Sequence, residues 1–117
     1  MLLAVSLLLT VAASAQMPGW SHIKRFDVTE NSGANVIDYQ MLITFDSQTL
    51  IGNGQMNANG SDIRFTSGCT GGTNFNYWIE SGINTTTTKV WVKIDTLLAN
   101  QTKSIFMQYG NAGAGIF

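Results

Sequence analysis

Asp62-Ile63-Arg64-Phe65, Tyr77-Trp78-Ile79-Glu80 and Lys89-Val90-Trp91-Val92-Lys93-Ile94 are three short runs in which aliphatic or aromatic residues alternate with polar or charged ones. Glycine, asparagine, serine and threonine separate each run from the next. Alternation with period two, bounded by turn formers, is the pattern of half-buried antiparallel strands. The face turned away from the core is then expected to carry Asp62, Arg64, Trp78, Glu80, Trp91 and Lys93, two indoles set among charges. That mixture suits a binding surface or a structural layer.

Outward from these runs the same pattern continues. Ile23-Lys24-Arg25-Phe26-Asp27-Val28 reads as a first strand, entered from Gln16-Met17-Pro18-Gly19 and followed by a turn-rich loop over residues 30–35. Residues 38–45 read as a second, with Tyr39, Met41, Ile43 and Phe45 on the core face and Gln40, Leu42 and Thr44 on the other. Residues 48–56 form a connection with a turn of helix or an irregular bend, and Asn59-Gly60 favours a positive φ. The strand over 62–66 leads to a glycine-rich tip around Cys69, then to strands over 75–80, 89–94 and 102–109. Six or seven strands with no helix of length predict an all-β chain, an antiparallel β-sandwich of jelly-roll kind, with an immunoglobulin-like sandwich as the alternative. The missing Cys-Trp-Cys landmark favours the jelly roll.

At 117 residues the chain holds one domain at most. Only 11% of residues are charged, against about 25% in an average soluble domain, and threonine, asparagine, serine, glutamine and glycine take their place. This composition is common in secreted β proteins. A net charge of −1 provides no basic stripe for phosphate, so nucleic acid is not an expected partner. Residues 1–15 differ in kind: the apolar Leu2-Leu3-Ala4-Val5-Ser6-Leu7-Leu8-Leu9 runs to Ala13-Ser14-Ala15, a small-residue cleavage site before Gln16. They read as a signal peptide, leaving residues 16–117 as a single sandwich domain with no membrane span after cleavage; an uncleaved anchor is the alternative. The absence of a closing strand after Tyr109 leads us to expect a C-terminally truncated chain or a fragment of a larger protein.

The order Trp20, Asp38-Tyr39-Gln40, Gly60-Ser61-Asp62-Ile63-Arg64-Phe65-Thr66, Tyr77-Trp78-Ile79-Glu80-Ser81-Gly82, Trp91-Val92-Lys93 and Tyr109-Gly110-Asn111 resembles the family called domain of unknown function 2341. The resemblance covers the chain after the leader. It implies a module of secreted or surface proteins of bacteria and archaea, found beside lectin-like domains, adhesion repeats or sorting domains. It implies no biochemical activity.

Several chemistries can be weighed on these residues. Asp62 and Glu80, on neighbouring strands and one face, offer a carboxylate pair for glycoside hydrolysis. Arg64 and Lys93 share that face, however, and opposite charges on adjacent strands pair with each other. A hydrolytic triad is disfavoured, because His22 is the only histidine and no Gly-x-Ser-x-Gly elbow is present. Cys69 stands alone and reads as a loop cysteine. Asn57, Asn59 and Asp62 offer hard oxygen ligands for a structural calcium, although their spacing is not that of an EF-hand; no other cofactor is expected. Sequons at Asn59, Asn84 and Asn100 read as solvated loops.

Glycan binding makes the sharpest expectation. Sugar C–H faces stack on flat aromatics while sugar hydroxyls need planar polar partners, and Trp78, Trp91 and Phe106 alternate outward with Glu80, Lys93 and Gln108. Arg64, Trp78, Glu80, Trp91, Lys93 and Gln108 are the candidate ligand-binding residues of a non-enzymatic, secreted or cell-surface recognition module. The plainer alternative is a spacer or adhesion domain whose indoles pack under a loop or a neighbouring domain, with Arg64 over an indole as a cation–π pair.

Overall fold

The computed structural model describes residues 16–117, so the leader reading of residues 1–15 lies outside the described residues. Among the described residues, seven strands and one short helix follow in the order β1 (His22–Thr29), β2 (Val36–Phe45), α1 (Ser47–Gly52), β3 (Arg64–Gly68), β4 (Gly71–Phe75), β5 (Tyr77–Ser81), β6 (Thr88–Leu97) and β7 (Thr102–Tyr109). They form two antiparallel sheets, β1-β7-β3-β4 and β2-β6-β5. The structure is therefore an all-β antiparallel sandwich. The first strand lies beside the last and the second beside the next to last, the nested pairing of a jelly roll. An immunoglobulin-like sandwich would instead set β1 next to β2 in one sheet.

The core follows from alternation on the two central strands. Val90, Val92 and Ile94 of β6 and Ile105, Met107 and Tyr109 of β7 are buried, while Lys89, Lys93 and Asp95 between the β6 residues are exposed. Ile43, Phe45, Phe65, Phe75, Ile63 and Met56 complete the apolar layer between the sheets. The connection after β2 contains the expected turn of helix: Asp46 caps α1 by accepting from the Thr49 N–H at 3.0 Å, and the helix ends within two turns.

Two details correct the expectations drawn from sequence. Residues 75–80 are not one strand. β4 ends at Phe75 in the four-stranded sheet and β5 begins at Tyr77 in the three-stranded one, with Asn76 between them accepting from the Lys93 N–H at 2.9 Å. Phe75 is buried and Tyr77 half-buried, so the apolar pattern runs on smoothly across a change of sheet. Asp62, expected on an exposed strand face, precedes β3 in a turn and is fully buried.

The opposite side of the sandwich is open. There β1 and β2 are the end strands of their sheets, and a cleft of about 340 Å³ lined by Val28, Glu30, Val36, Tyr39, Met41 and Leu97 lies between them.

Candidate functional site

Four of the expected site residues meet on the outer face of β2-β6-β5. Trp78 of β5 is directly opposite Trp91 of β6, and Trp91 in turn is opposite Leu42 of β2, so three apolar side chains form a row across the sheet. The indole centroids are 6.0 Å apart with planes 20° from parallel. Trp78 is 46% exposed and Leu42 42%, while Trp91, flanked on both sides, is half-buried. Glu80 Oε1 accepts from Trp91 Nε1 at 3.0 Å, which fixes the central ring.

Charged and amide groups frame the row. Lys93 is exposed on the same face, 4.0 Å from Asp38 and opposite Gln40; Lys89 is opposite Thr44 one step along. In place of the cross-strand ion pairing expected on this face, Glu80 bonds the Trp91 indole and Lys93 makes a longer contact with Asp38. An exposed pair of that kind contributes little to stability and leaves Lys93 free to reorient. Leu42 was not among the expected site residues. Alternation placed it beside Gln40 and Thr44, but its place in the aromatic row depends on the β2–β6 register, which composition does not reveal.

Arg64 and Gln108 are not on this face, which corrects the expected single surface. Both belong to the other sheet, where they are cross-strand partners. Arg64 donates to the carbonyls of Ser61 at 2.9 Å, Ile63 at 2.7 Å and Gly115 at 2.7 Å. Its guanidinium lies 5.5 Å from the Trp20 ring and 5.4 Å from that of Phe117. The cation–π pair foreseen for Arg64 thus forms, but with Trp20. Gln108 points away from the core yet is fully buried, because residues 16–20 cross over it and the β3–β4 turn closes beside it. Its Oε1 accepts from Met17 N at 3.2 Å, and its Nε2 donates to Cys69 O at 2.9 Å and Thr66 Oγ1 at 3.2 Å. Phe106, also expected outward beside the indoles, is half-buried in this second sheet opposite Arg25 and Thr66.

The carboxylate pair is likewise separated. Asp62 accepts from the backbone N–H groups of Asn57 at 3.0 Å, Gly110 at 2.9 Å and Asn111 at 3.2 Å, using both oxygens. It ties the loop before β3 to the end of β7, while Glu80 is exposed on the other sheet. The amide groups weighed for calcium are engaged too: Asn59 Oδ1 accepts from Ser61 N at 3.1 Å, and Asn57 Nδ2 donates to Ser61 Oγ at 3.0 Å. Among the described residues no three His, Cys, Asp or Glu side chains gather as a metal site.

Beyond Trp78 the face turns into a groove of about 330 Å³ lined by Asn59, Gly60, Tyr77, Trp78, Ile79, Ile116 and Phe117. The Phe117 ring stacks on Tyr77 at 6.0 Å, and the Tyr77 hydroxyl donates to the Ile63 carbonyl. Burial raises the Tyr77 pKa above its ordinary value, so this hydroxyl keeps its proton.

Sheet order and outer face together define the class: a two-layer antiparallel β-sandwich module that exposes an aromatic row on its three-stranded sheet. Residues 59–115 match the family model described as Domain of unknown function (DUF2341). The match holds the Asp-Ile-Arg-Phe, Tyr-Trp-Ile-Glu, Trp-Val-Lys and Tyr-Gly-Asn motifs and thus all strands from β3 to β7. It does not reach Trp20 or Asp38-Tyr39-Gln40, so the resemblance is narrower than the sequence reading drew it. No curated protein and no solved structure matches the chain. No helix among the described residues is long and apolar enough to cross a membrane.

Proposed function

We propose that the chain is a recognition module of a secreted or cell-surface protein and that the outer face of β2-β6-β5 binds a glycan or similar surface polymer. The observation that carries this reading is the pair of nearly parallel indoles, Trp78 exposed and Trp91 half-buried, beside Glu80, Lys93, Gln40 and Lys89. An indole face accepts the C–H side of a sugar ring, and neighbouring carboxylate, ammonium and amide groups meet its hydroxyls. Glu80 has one oxygen engaged by Trp91 and the other directed to no protein donor among the described residues. Arg64 and Gln108 have no part in this surface, since their polar groups are already satisfied in the other sheet. The apolar leader-like segment at residues 1–15 supports the extracellular placement.

A second reading is favoured by Leu42. It adds an aliphatic group to the row with no polar role, as expected if the face packs against a neighbouring domain. The test is retention of the purified protein on microcrystalline cellulose, chitin and a bacterial cell-wall preparation. Retention that is lost in Trp78→Ala, with the unfolding free energy changed by no more than about 1 kcal/mol, supports glycan recognition. Absence of retention on every polymer, or retention unaffected in a Trp78→Ala/Trp91→Ala double variant, sends the face to the domain-packing reading.

A further inference from the structure

The four strand edges of this sandwich are not alike. β1 carries Lys24, Arg25 and Asp27, all exposed. β4 is five residues long and begins on Gly71 and Gly72, both at positive φ. β5 is as short, and its ladder to β6 shifts register between Ile79 and Ser81. Charge, shortness and bulges are the features that keep sheet edges from pairing with another chain.

β2 is built differently. It is ten residues long, pairs with β6 on one side, and has no strand on the other among the described residues. Its one charged residue, Asp38, takes a left-handed backbone conformation (φ 54°) and interrupts the strand near its start. The seven residues that follow, Tyr39-Gln40-Met41-Leu42-Ile43-Thr44-Phe45, contain no charge, glycine or proline and consist mostly of strong strand formers. Ile37, Tyr39 and Leu42 on this strand are 72%, 47% and 42% exposed.

We propose that residues 39–45 pair antiparallel with the same residues of a second copy, joining two three-stranded sheets into one of six strands across a two-fold axis at Leu42. Three features select a second copy as the occupant. Open backbone donors and acceptors along an edge call for an extended strand rather than a lipid or a curved protein surface. Identical chains bring identical charges together, but this stretch has none, and antiparallel pairing carries the two copies of Asp38 to opposite ends of the ladder. Leu42 is also the midpoint of the run. Pairing about it sets Gln40 opposite Thr44, Met41 opposite Ile43 and Tyr39 opposite Phe45, so that each core-facing residue meets a core-facing one. One strand pair is a small contact beside a standard interface, so the dimer is weak and its population depends on concentration.

One consequence rests on the recognition reading: the row Trp78, Trp91 and Leu42 would continue across the axis into its own repeat, placing four indoles on one face. Sedimentation velocity of the purified protein from micromolar to millimolar concentration tests the pairing. The expected result is a mass rising toward twice the monomer, with Leu42→Lys and Thr44→Lys each remaining monomeric over the same range. Amide hydrogen exchange within residues 39–45 of the unaltered protein should slow as concentration rises. A monomer at every concentration, association unaffected by both lysine variants, or exchange in residues 39–45 independent of concentration would each overturn the proposal. These readouts use no glycan, so they stand apart from any failure of the recognition reading.

Discussion

Asp62 shows how far a single side chain can depart from the strand pattern around it. It stands next to Ile63, and alternation assigns it to the solvent face with Arg64. A carboxylate can be buried when donors saturate it, and here three backbone N–H groups do so, one from the preceding loop and two from the end of β7. Two of those donors, at residues 110 and 111, lie at the far end of the chain, where nothing near position 62 announces them. Asp62→Ala leaves the three N–H groups without an acceptor and is expected to destabilise the fold by at least about 3 kcal/mol, read from urea unfolding. Asp62→Asn should fall between the two, because one atom of its amide donates where the carboxylate accepted. An alanine variant as stable as the parent would mean that water replaces the carboxylate at no cost. The tryptophans were only partly legible for the same reason. Trp78 and Trp91 are on the solvent face that alternation assigned them, whereas the role of Trp20, its Nε1 donating to Asp62 O at 2.8 Å and its ring near Arg64, depends on contacts more than 40 positions away in sequence.

At the scale of elements, period-two alternation gave β1, β2 and β7 nearly in full and β6 only over residues 89–94 of Thr88–Leu97. It left residues 71–74 of β4 in a glycine-rich tip and joined Phe75 to β5, because both Phe75 and Tyr77 turn inward and periodicity does not report which sheet a strand enters. It also placed Gln108 outside: that residue does point away from the core, and the segment around Met17 together with the β3–β4 turn buries it. Strand order therefore has energetic consequences that the pattern alone does not rank. Ile105, fully buried in the central β7, is expected to cost about 2–5 kcal/mol on replacement by alanine. Ile37, equally apolar but 72% exposed near the start of edge strand β2, should change the monomer's unfolding free energy by less than about 0.5 kcal/mol. Urea titrations of the two variants, at a concentration low enough to keep the protein monomeric, check the pair. Similar losses at both positions would contradict the assignment of β2 to an open edge.

For the whole molecule, the carboxylates whose acidity is perturbed all shift in one direction. Hydrogen bonds from the Ser104 hydroxyl, the Thr49 N–H and the Lys103 ammonium hold Asp27, Asp46 and Asp95 below the usual carboxylate range. Glu30 shifts furthest, from 4.5 to about 2, chiefly through the Ser32 hydroxyl and then through backbone N–H groups of Asn100, Gly33 and Ser32. These bonds join the β1–β2 loop to the turn between β6 and β7, so Glu30 fastens the two sheets at one end of the sandwich. A carboxyl whose folded pKa lies below its unfolded value binds its proton more weakly in the folded state. Its stabilisation is present above the unfolded value and is lost as pH falls through the folded one. For Glu30 that window runs from 4.5 down to about 2. The urea midpoint should therefore hold steady from neutral pH to about 5 and then decline continuously toward about 2. Glu30→Gln should begin at a lower midpoint, since its amide accepts fewer of these bonds, and should decline less. The gap between the two proteins should close as the window is crossed, whereas a gap that stays constant down to the lowest pH would show that the charge on Glu30 does not hold the loop.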